Sequence, residues 1–224
     1  MNDKIAIVIP MKLNNERLPN KSFQSLKGLP LLHWTFERCV TLKQNCQHLD
    51  IEIYVYCSSY DALKDYIPNP HIKYVSRPES LDTNETTIND VLQEFKKNVK
   101  ADHYILQVIT APYLKWQTLQ DALHIYINEK LDSIQCVKNI QSFCDYNGQP
   151  LNYNKNNYPR TQDLMPIQCV TNSFTIFKSS LLDYNKIVGD NHKTYSVNND
   201  IECIDIDNAS DLDFANRINI NGFL

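Results

Sequence analysis

Glycine is scarce in this sequence. Only four of the 224 residues are glycine, and none of them lies in the polar loop that follows the first apolar run. The glycine patterns of P-loop nucleotide sites and of dinucleotide-binding folds are both absent. Nucleotide binding of either common kind is therefore a poor explanation for this chain.

Paired patterns of cysteine and histidine are also lacking. The seven cysteines, an odd number, include no Cys-x-x-Cys pair, and the six histidines include no His-x-x-x-His pair. Scattered thiols of this kind are typical of reduced cysteines in a cytoplasmic protein, and not of a disulfide framework. We therefore expect a cytoplasmic protein without a zinc site.

The chain has neither a basic charge balance nor a long apolar run. Its formal net charge is -4 and its pI is near 5.8, whereas general nucleic-acid binding needs a basic face. No apolar stretch reaches the length of a membrane span, and the first four residues do not begin a signal peptide. We expect one domain over residues 1–224, with neither nucleic acid nor membrane as a partner.

Apolar runs alternate with segments of helical periodicity, which predicts an α/β fold of three layers, α/β/α, around a mainly parallel sheet. The stretch 141–165 has no periodicity, and irregular loops of that length are usually functional or covered by a partner. Strands are predicted over Ile5–Ile9, Ile51–Cys57, His71–Val75, Tyr104–Ile109, Ser133–Val137, Thr171–Phe177 and Ile201–Ile206. Helices are predicted over Leu29–Cys39, Asp61–Ile67, Thr86–Val99, Trp116–Ile127 and Ala209–Ile218, with a helical turn over Ser179–Tyr184.

The loop after the first strand carries several positive charges. Ile5–Ile9 is apolar without alternation, as in a strand buried on both faces, and Pro10 ends it. Lys12, Arg17 and Lys21 follow. Ligands of open α/β sheets bind where loops leave the carboxyl ends of strands, so this loop predicts a site for an anion such as phosphate. A solvated surface loop is the alternative.

A cluster of aspartates lies near the other end of the chain. Asp205 lies in the predicted strand Ile201–Ile206, and Asp207 follows directly after its end. Residues two apart in a strand face the same side, so these two carboxylates would repel each other unless a cation lay between them. Two carboxylates together with substrate phosphates are a usual site for Mg²⁺. Helix capping is the alternative, and it accounts better for Asp211 and Asp213.

Six motifs in the correct order resemble the acylneuraminate (CMP-sialic acid synthetase) cytidylyltransferase family over nearly the whole chain. The opening IPMKLNNERLPNKS is similar to that family's IPARGGSKRIPGKN, with both prolines in place. The others are RPESL at 77–81 (family RPxxL), LQ at 106–107 with TAP at 110–112 (LQPTSP), PRTQDL at 159–164 (PRxQ), TNSF at 171–174 (NG) and IDID at 204–207 followed by DL at 211–212 (IDID…DL).

The resemblance implies a fold of the nucleotide-diphospho-sugar transferase (glycosyltransferase-A-like) type. It also implies Mg²⁺, CTP and a 2-keto sugar acid as ligands, and a homodimer in which 141–165 reaches toward the partner subunit. By the same resemblance, the nucleotide would be bound by Lys12, Asn14, Arg17, Lys21, Arg77, Thr86 and Thr87, with Lys12, Lys21 and Asp207 catalytic. The acceptor would be bound by Gln107, Thr110, Arg160 and Gln162, and the metal by Asp205 and Asp207.

Two of these residues also have an interpretation from residue type alone. Gln107 lies at the end of a buried strand, where an amide needs a hydrogen-bond partner. The guanidinium of Arg160 suits a carboxylate, but a surface ion pair explains it equally well.

The chain also departs from the family pattern. Lys12 stands where the family usually has arginine, Leu13 to Asn15 replaces Gly-Gly-Ser, Ser58-Ser59 stands where an aspartate is common, and Ser173 replaces a glycine. Two alternatives therefore stay open. The acceptor is another sugar acid or a polyol phosphate, or the chain binds a nucleotide without turnover.

Overall fold

The computed structural model describes residues 3–67 and 70–220, which contain eleven strands and four α-helices. The strands are β1 (Lys4–Pro10), β2 (Ser25–Leu26), β3 (Leu29–Pro30), β4 (Asp50–Cys57), β5 (Ile72–Ser76), β6 (His103–Gln107), β7 (Ser133–Ile140), β8 (Asp145–Tyr146), β9 (Gln149–Pro150), β10 (Ile167–Lys178) and β11 (His192–Val197). The helices are α1 (Leu31–Asn45), α2 (Ile88–Asn98), α3 (Trp116–Asn128) and α4 (Ala209–Arg217). Short 3-10 helices span Lys21–Phe23, Glu79–Leu81, Thr161–Asp163 and Ser179–Tyr184.

Seven strands form one mainly parallel sheet in the order β11-β7-β10-β6-β1-β4-β5. β10 pairs antiparallel with both β6 and β7, and the other pairings are parallel. The mainly parallel sheet expected from the alternating pattern is therefore confirmed.

Both faces of β1 are buried, as its continuous apolar sequence predicts. Ile5, Ile7 and Ile9 pack in one core with side chains of α1 and α3. Ala6 and Val8 pack in a second core with side chains of α2. Because successive residues of a strand point to opposite faces, this division places the sheet between two helical layers and confirms the three-layer architecture.

Two predicted elements are wrong. Residues 201–206 form turns and irregular backbone in place of the last strand. Asn199 starts this turn, because its side-chain oxygen accepts a hydrogen bond from the backbone N–H of Ile201 at 2.9 Å and its carbonyl accepts one from Glu202 at 3.1 Å. The edge strand is β11 instead. Residues 61–67 form overlapping turns rather than a helix, since so few residues give a helix little stability without packing.

The irregular segment 141–165, called the arm below, contains the hairpin β8–β9 and the 3-10 helix Thr161–Asp163. Phe143, Tyr153 and Tyr158 cluster in it with ring centroids 5.1–5.3 Å apart. Several of its large apolar side chains are exposed, including Tyr158 at 63% and Met165 at 77%. None of the helices in the described part of the chain is long and apolar enough to cross a membrane.

Candidate active site

The cationic loop leaves the carboxyl end of β1 and returns to the protein at Lys21. Met11, 1% exposed, anchors its start by donating a backbone hydrogen bond to Tyr56 at 2.9 Å. Asn20 takes a left-handed conformation, with φ of 53°, just before the 3-10 helix Lys21–Phe23. This turn directs the Lys21 side chain inward, where only 7% of it is exposed. A lysine this buried needs an anionic partner.

Asp207 is that partner. Lys21 Nζ lies 2.9 Å from Asp207 Oδ1. Arg17 also donates to both oxygens of the same carboxylate, at 2.9 and 3.1 Å. The structure therefore brings the positive loop and the acidic segment, 186 residues apart in sequence, to one point.

The two aspartates differ in their electrostatic surroundings. Burial acts to raise the pKa of the Asp207 carboxyl, but the hydrogen bond and charge of Lys21, with those of Arg17, outweigh burial and hold this pKa below its usual range. Packing around the carboxyl of Asp205 raises its pKa, and the charge of Asp207 adds to the rise against a hydrogen bond with Thr110. The positive side chains of the loop thus act mainly on Asp207.

Two adjoining cavities lie beside this ion-pair cluster. One, of about 310 Å³, is lined in part by Lys12, Lys21, Arg77, Thr86 and Thr110. The other, of about 430 Å³, shares Lys12 and Lys21 and adds residues of the loop, including Asn14 and Arg17. These seven predicted ligand-binding residues therefore surround one continuous region with an excess of positive charge. Such a region suits a polyphosphate.

Arg77 enters the first cavity from the end of β5. It is 6% exposed, its backbone N–H donates to Cys57 at 2.9 Å, and its Nη2 lies 3.1 Å from Asp82 and also donates to the carbonyl of Leu81. Its buried Nε has no hydrogen-bond partner among the described residues. A buried donor without a partner beside a cavity fits a ligand acceptor at that place.

Three polar side chains that line the second cavity are connected by hydrogen bonds, and the sequence does not predict this connection. Lys12 donates to Asn84 Oδ1 at 2.7 Å, and Asn84 donates to Glu16 at 2.6 Å. Asn84 comes from the segment before α2, and nothing in its sequence surroundings distinguishes it from a loop residue.

Thr87 has a structural role in the described geometry. Its side chain accepts a hydrogen bond from the backbone N–H of Asp90, and Asp90 accepts one in return from the N–H of Thr87, which forms a capping box at the start of α2. Thr87 lines neither of the two cavities. Its neighbour Thr86 lines the first cavity.

Gln107 is fully buried, and its amide has protein partners. Its oxygen accepts from Arg38 Nε at 2.9 Å, and its nitrogen donates to the carbonyl of Ser173 at 3.3 Å. Arg38, 4% exposed, also donates to the carbonyls of Ala111 and Leu114 at 3.0 and 3.2 Å. The expectation that Gln107 needs a partner is confirmed, but the partner is Arg38. Gln107 therefore does not face a cavity as the resemblance implies.

Arg160 and Gln162 lie on the exposed surface of the arm. Arg160 makes an ion pair with Asp163 at 2.7 Å, and 72% of its side chain is exposed. Neither Arg160 nor Gln162 lines the cavities beside Lys21. Within one chain they are not brought to the site, and the surface ion pair considered for Arg160 is observed.

The acidic segment is held in place by Glu202, which sequence reasoning did not single out. Glu202 is 6% exposed, and its carboxylate accepts hydrogen bonds from the Lys115 backbone at 3.0 Å and the Thr118 hydroxyl at 2.6 Å, at the amino end of α3. The backbone N–H of Ile206 donates to Thr110 at 2.8 Å. These contacts connect residues 202–206 to α3 and to the loop after β6.

The remaining aspartates belong to α4. Asp211 accepts hydrogen bonds from the backbone N–H groups of Asp207 and Asn208, both at 2.9 Å, in a capping box, which confirms the capping interpretation. Asp213 instead pairs with Arg217 one turn later at 2.6 Å.

A third cavity, of about 710 Å³, borders Asp205, and its lining residues are different from those of the two cavities beside the cationic loop. It lies between the ends of β7 and β10 and the turn at residues 200–203. The site therefore has a cationic part, formed by the two adjoining cavities, and a second part that borders Asp205.

The donor set at Asp205 and Asp207 fits Mg²⁺ only in company with a ligand. Among the described residues, no group of three or more His, Cys, Asp or Glu side chains is placed to hold a metal ion. Mg²⁺ is commonly bound through one or two carboxylates plus substrate phosphates. Two aspartates beside a cationic region that suits a polyphosphate meet that requirement.

Comparisons with known proteins agree with the geometry. A family model described as cytidylyltransferase matches residues 6–221, whereas no curated protein matches the chain. The chain is similar to the structure of CMP:2-keto-3-deoxy-manno-octonic acid synthetase complexed with CTP, with 14% identity, a TM-score of 0.68, and coverage of 95% of this chain and 97% of that one.

Two further structures show the same fold. For 4-diphosphocytidyl-2C-methyl-D-erythritol synthase from Anaerococcus prevotii, identity is 14%, TM-score 0.66 and coverage 96% of this chain and 95% of that one. For a cytidylyltransferase from Leptospira borgpetersenii serovar Hardjo-bovis, identity is 15%, the TM-score is 0.62, and the match covers 100% of this chain and 89% of that one. The nucleotide-diphospho-sugar transferase fold is thus confirmed. Since the family model covers nearly the whole sequence, the chain belongs to the cytidylyltransferase family.

Proposed function

We propose that this protein transfers CMP from CTP to the anomeric hydroxyl group of a 2-keto sugar acid of the sialic acid type, and releases pyrophosphate. Such a product is a CMP-activated nonulosonic acid for surface polysaccharide, made in the cytoplasm. The observation that carries the proposal is the convergence of Lys21, Arg17 and Asp207 beside cavities lined by cations. Family membership supports CTP as the nucleotide.

The chemistry requires charge stabilisation more than covalent work by the protein. The acceptor oxygen forms a bond to the α-phosphorus while the bond to the pyrophosphate oxygen breaks, and negative charge spreads over the equatorial and leaving oxygens. Lys12 and Lys21 border the region where these oxygens would lie. Cations fixed in place before the reaction stabilise such charge at little reorganisation cost.

Lys21 and Arg17 exchange partners in this proposal. In the structure both neutralise Asp207. A bound triphosphate offers them other anionic oxygens and leaves Asp207 available to the metal. Mg²⁺ bound by Asp205, Asp207 and phosphate oxygens would add positive charge at the α-phosphate.

The test is pyrophosphate release from CTP and Mg²⁺ with a panel of sialic, legionaminic, pseudaminic and octulosonic acids, with the CMP-sugar identified by mass spectrometry. Asp207→Asn should abolish turnover with the fold retained by circular dichroism. Asp213→Asn is the matched control from the same acidic stretch, since Asp213 pairs only with Arg217 in the described contacts. Full activity of Asp207→Asn would overturn the metal role.

A polyol phosphate is the second candidate acceptor. The likeness to the methylerythritol enzyme, with a TM-score of 0.66, is close to the 0.68 found for the octonic acid enzyme. Methylerythritol phosphate therefore belongs in the same panel, and turnover with it alone would replace the sugar acid. CTP binding without pyrophosphate release for any acceptor would support an inactive nucleotide-binding protein.

We also infer a homodimer formed through the arm. Phe143, Tyr158 and Met165 expose 40%, 63% and 77% of their surfaces there, and exposed apolar clusters of this kind mark interaction surfaces. Light scattering should show a dimer, and Tyr158→Ser should weaken it. Phe214→Ser, at a residue 59% exposed on α4, is the control. A monomer at all concentrations would refute this role of the arm.

A further inference from the structure

The cavity of about 710 Å³ beside Asp205 has the chemistry of a sugar-binding pocket. Its wall includes the amides of Asn139 and Asn172 and the hydroxyls of Ser142 and Thr171. Amide and hydroxyl groups donate and accept hydrogen bonds, so together they match a ligand rich in hydroxyl groups.

The backbone of β10 is irregular where it borders this cavity. The register of β10 against β7 shifts between Val170 and Thr175, and Asn172 within that bulge has a left-handed conformation with φ of 57°. Bulges re-aim side chains and are common next to active sites. The irregularity therefore marks the cavity as a built feature of the fold.

Lys138 is the one positively charged side chain among the described residues that line this cavity. It projects from β7, and its Nζ lies 2.9 Å from Asp200 Oδ1. The lysine side chain is 40% exposed and the aspartate 84% exposed. Ion pairs this exposed are weak and exchange partners easily, so a ligand anion can replace Asp200.

The position of Lys138 also suits the shape of the proposed acceptor. In a 2-keto sugar acid the carboxylate is bonded to the anomeric carbon that carries the reacting hydroxyl group. In the proposed reaction Asp205 lies near the reacting oxygen, because it would bind the metal there. A cation that binds the acceptor carboxylate must therefore line the same pocket as Asp205. Lys138 and Asp205 line one cavity, whereas Arg160 does not line it.

We propose that Lys138 determines acceptor specificity by binding the carboxylate of the sugar acid in exchange for Asp200. This inference rests on the proposed function and adds a specificity residue to it. Before the ligand arrives, Asp200 neutralises the lysine. After it arrives, the carboxylate takes that place.

The experiment compares the best acceptor of the panel with its carboxamide, in the wild type and in Lys138→Met. A charge-assisted hydrogen bond of this kind predicts that Lys138→Met raises the KM for the acid by about 10- to 100-fold and leaves the KM for CTP within about twofold. The carboxamide should be a poor acceptor for the wild type and equally poor for the variant. Lys138→Arg should restore part of the loss, and Asp200→Asn should lower the KM for the acid.

The control is Lys193→Met, which removes another exposed lysine of a strand, one paired with Glu129 away from the cavity. If both Lys138→Met and the control leave acid and carboxamide discrimination unchanged while transfer proceeds, the role of Lys138 is refuted and the proposed function stands. If the wild type transfers CMP to none of the acids, the proposed function fails and the inference fails with it.

Discussion

Asp207 makes two ion pairs whose surroundings differ sharply, and double-mutant cycles should separate their contributions. Lys21 is 7% exposed and makes one hydrogen bond to the carboxylate, while Arg17 is 70% exposed and makes two. The perturbations are Asp207→Asn, Lys21→Met, Arg17→Gln and the two double variants that include Asp207→Asn.

The structure predicts that the coupling energy of each ion pair depends on its burial, and not on its number of hydrogen bonds. A charge-assisted hydrogen bond to a group shielded from water contributes about 1.5–3 kcal/mol, which is the coupling expected for Lys21 and Asp207. An exposed pair is screened by solvent and pays side-chain entropy, so Arg17 and Asp207 should couple by about 0.2–1 kcal/mol.

The assay is urea unfolding followed by circular dichroism at pH 7, with the free energy of unfolding extrapolated to water for each variant. The pKa of Asp207 is lower in the folded state than in the unfolded chain. The coupling energy between Lys21 and Asp207 is therefore fully present above the usual pKa of an aspartate, about 3.9, and is lost as the pH falls through the lower pKa of the folded state. A coupling for Arg17 equal to or larger than that for Lys21 would refute the reasoning.

Three other residues give further predictions. Hydrogen bonds, first from Lys4, lower the pKa of Glu52 from 4.5 to about 2. Because Lys4 and Lys73 are 36% and 53% exposed and solvent screens both ion pairs, Glu52→Gln should cost only about 1 kcal/mol of stability at pH 7, and urea titrations should show this difference vanish as the pH falls from 4.5 to 2. Thr87→Ala should lower the free energy of unfolding by about 1 kcal/mol and leave the KM for CTP within about twofold, because Thr87 caps α2; a large rise in KM would restore its predicted nucleotide contact. Arg38→Met should cost about 3 kcal/mol in thermal or urea unfolding, since it leaves Gln107 and buried carbonyls without a donor, and an unchanged stability would contradict that role.

Much of the fold could be predicted because its strands and helices carry strong local patterns. β1 is buried on both faces and its sequence is apolar at every position from Ile5 to Ile9, so pattern and environment agree. Residues 201–206 are also rich in apolar residues, but the side-chain oxygen of Asn199 accepts a hydrogen bond from the backbone N–H of Ile201, and the backbone turns there. Whether such a segment forms a turn or a strand depends on individual side-chain hydrogen bonds, and the hydrophobic pattern of the sequence does not show these.

The candidate site could be predicted where charge marks it, and not where packing decides. Lys21, Arg17 and Asp207 stand out in sequence by charge and loop position, and the structure brings them together. The sequence predicts a buried amide at Gln107, and the structure confirms it, but the partner, Arg38, lies 69 residues away in α1. Tertiary contacts between distant polar residues leave no trace in local periodicity.

The central place of β1 has a consequence for synthesis on the ribosome. β1 pairs on one side with β4, yet its other neighbour is β6, where Ile5 lies opposite His103. The other neighbour of β6 is β10, in which Phe177 lies opposite Tyr104, and β10 is made later still. A growing chain therefore leaves one edge of its earliest strand unpaired until β6 (His103–Gln107) has been made, about 100 residues after the end of β1, since the pairing that covers this edge is distant in sequence. Nascent chains stopped before β6 therefore carry β1 with one edge unpaired, and an unpaired strand edge promotes aggregation.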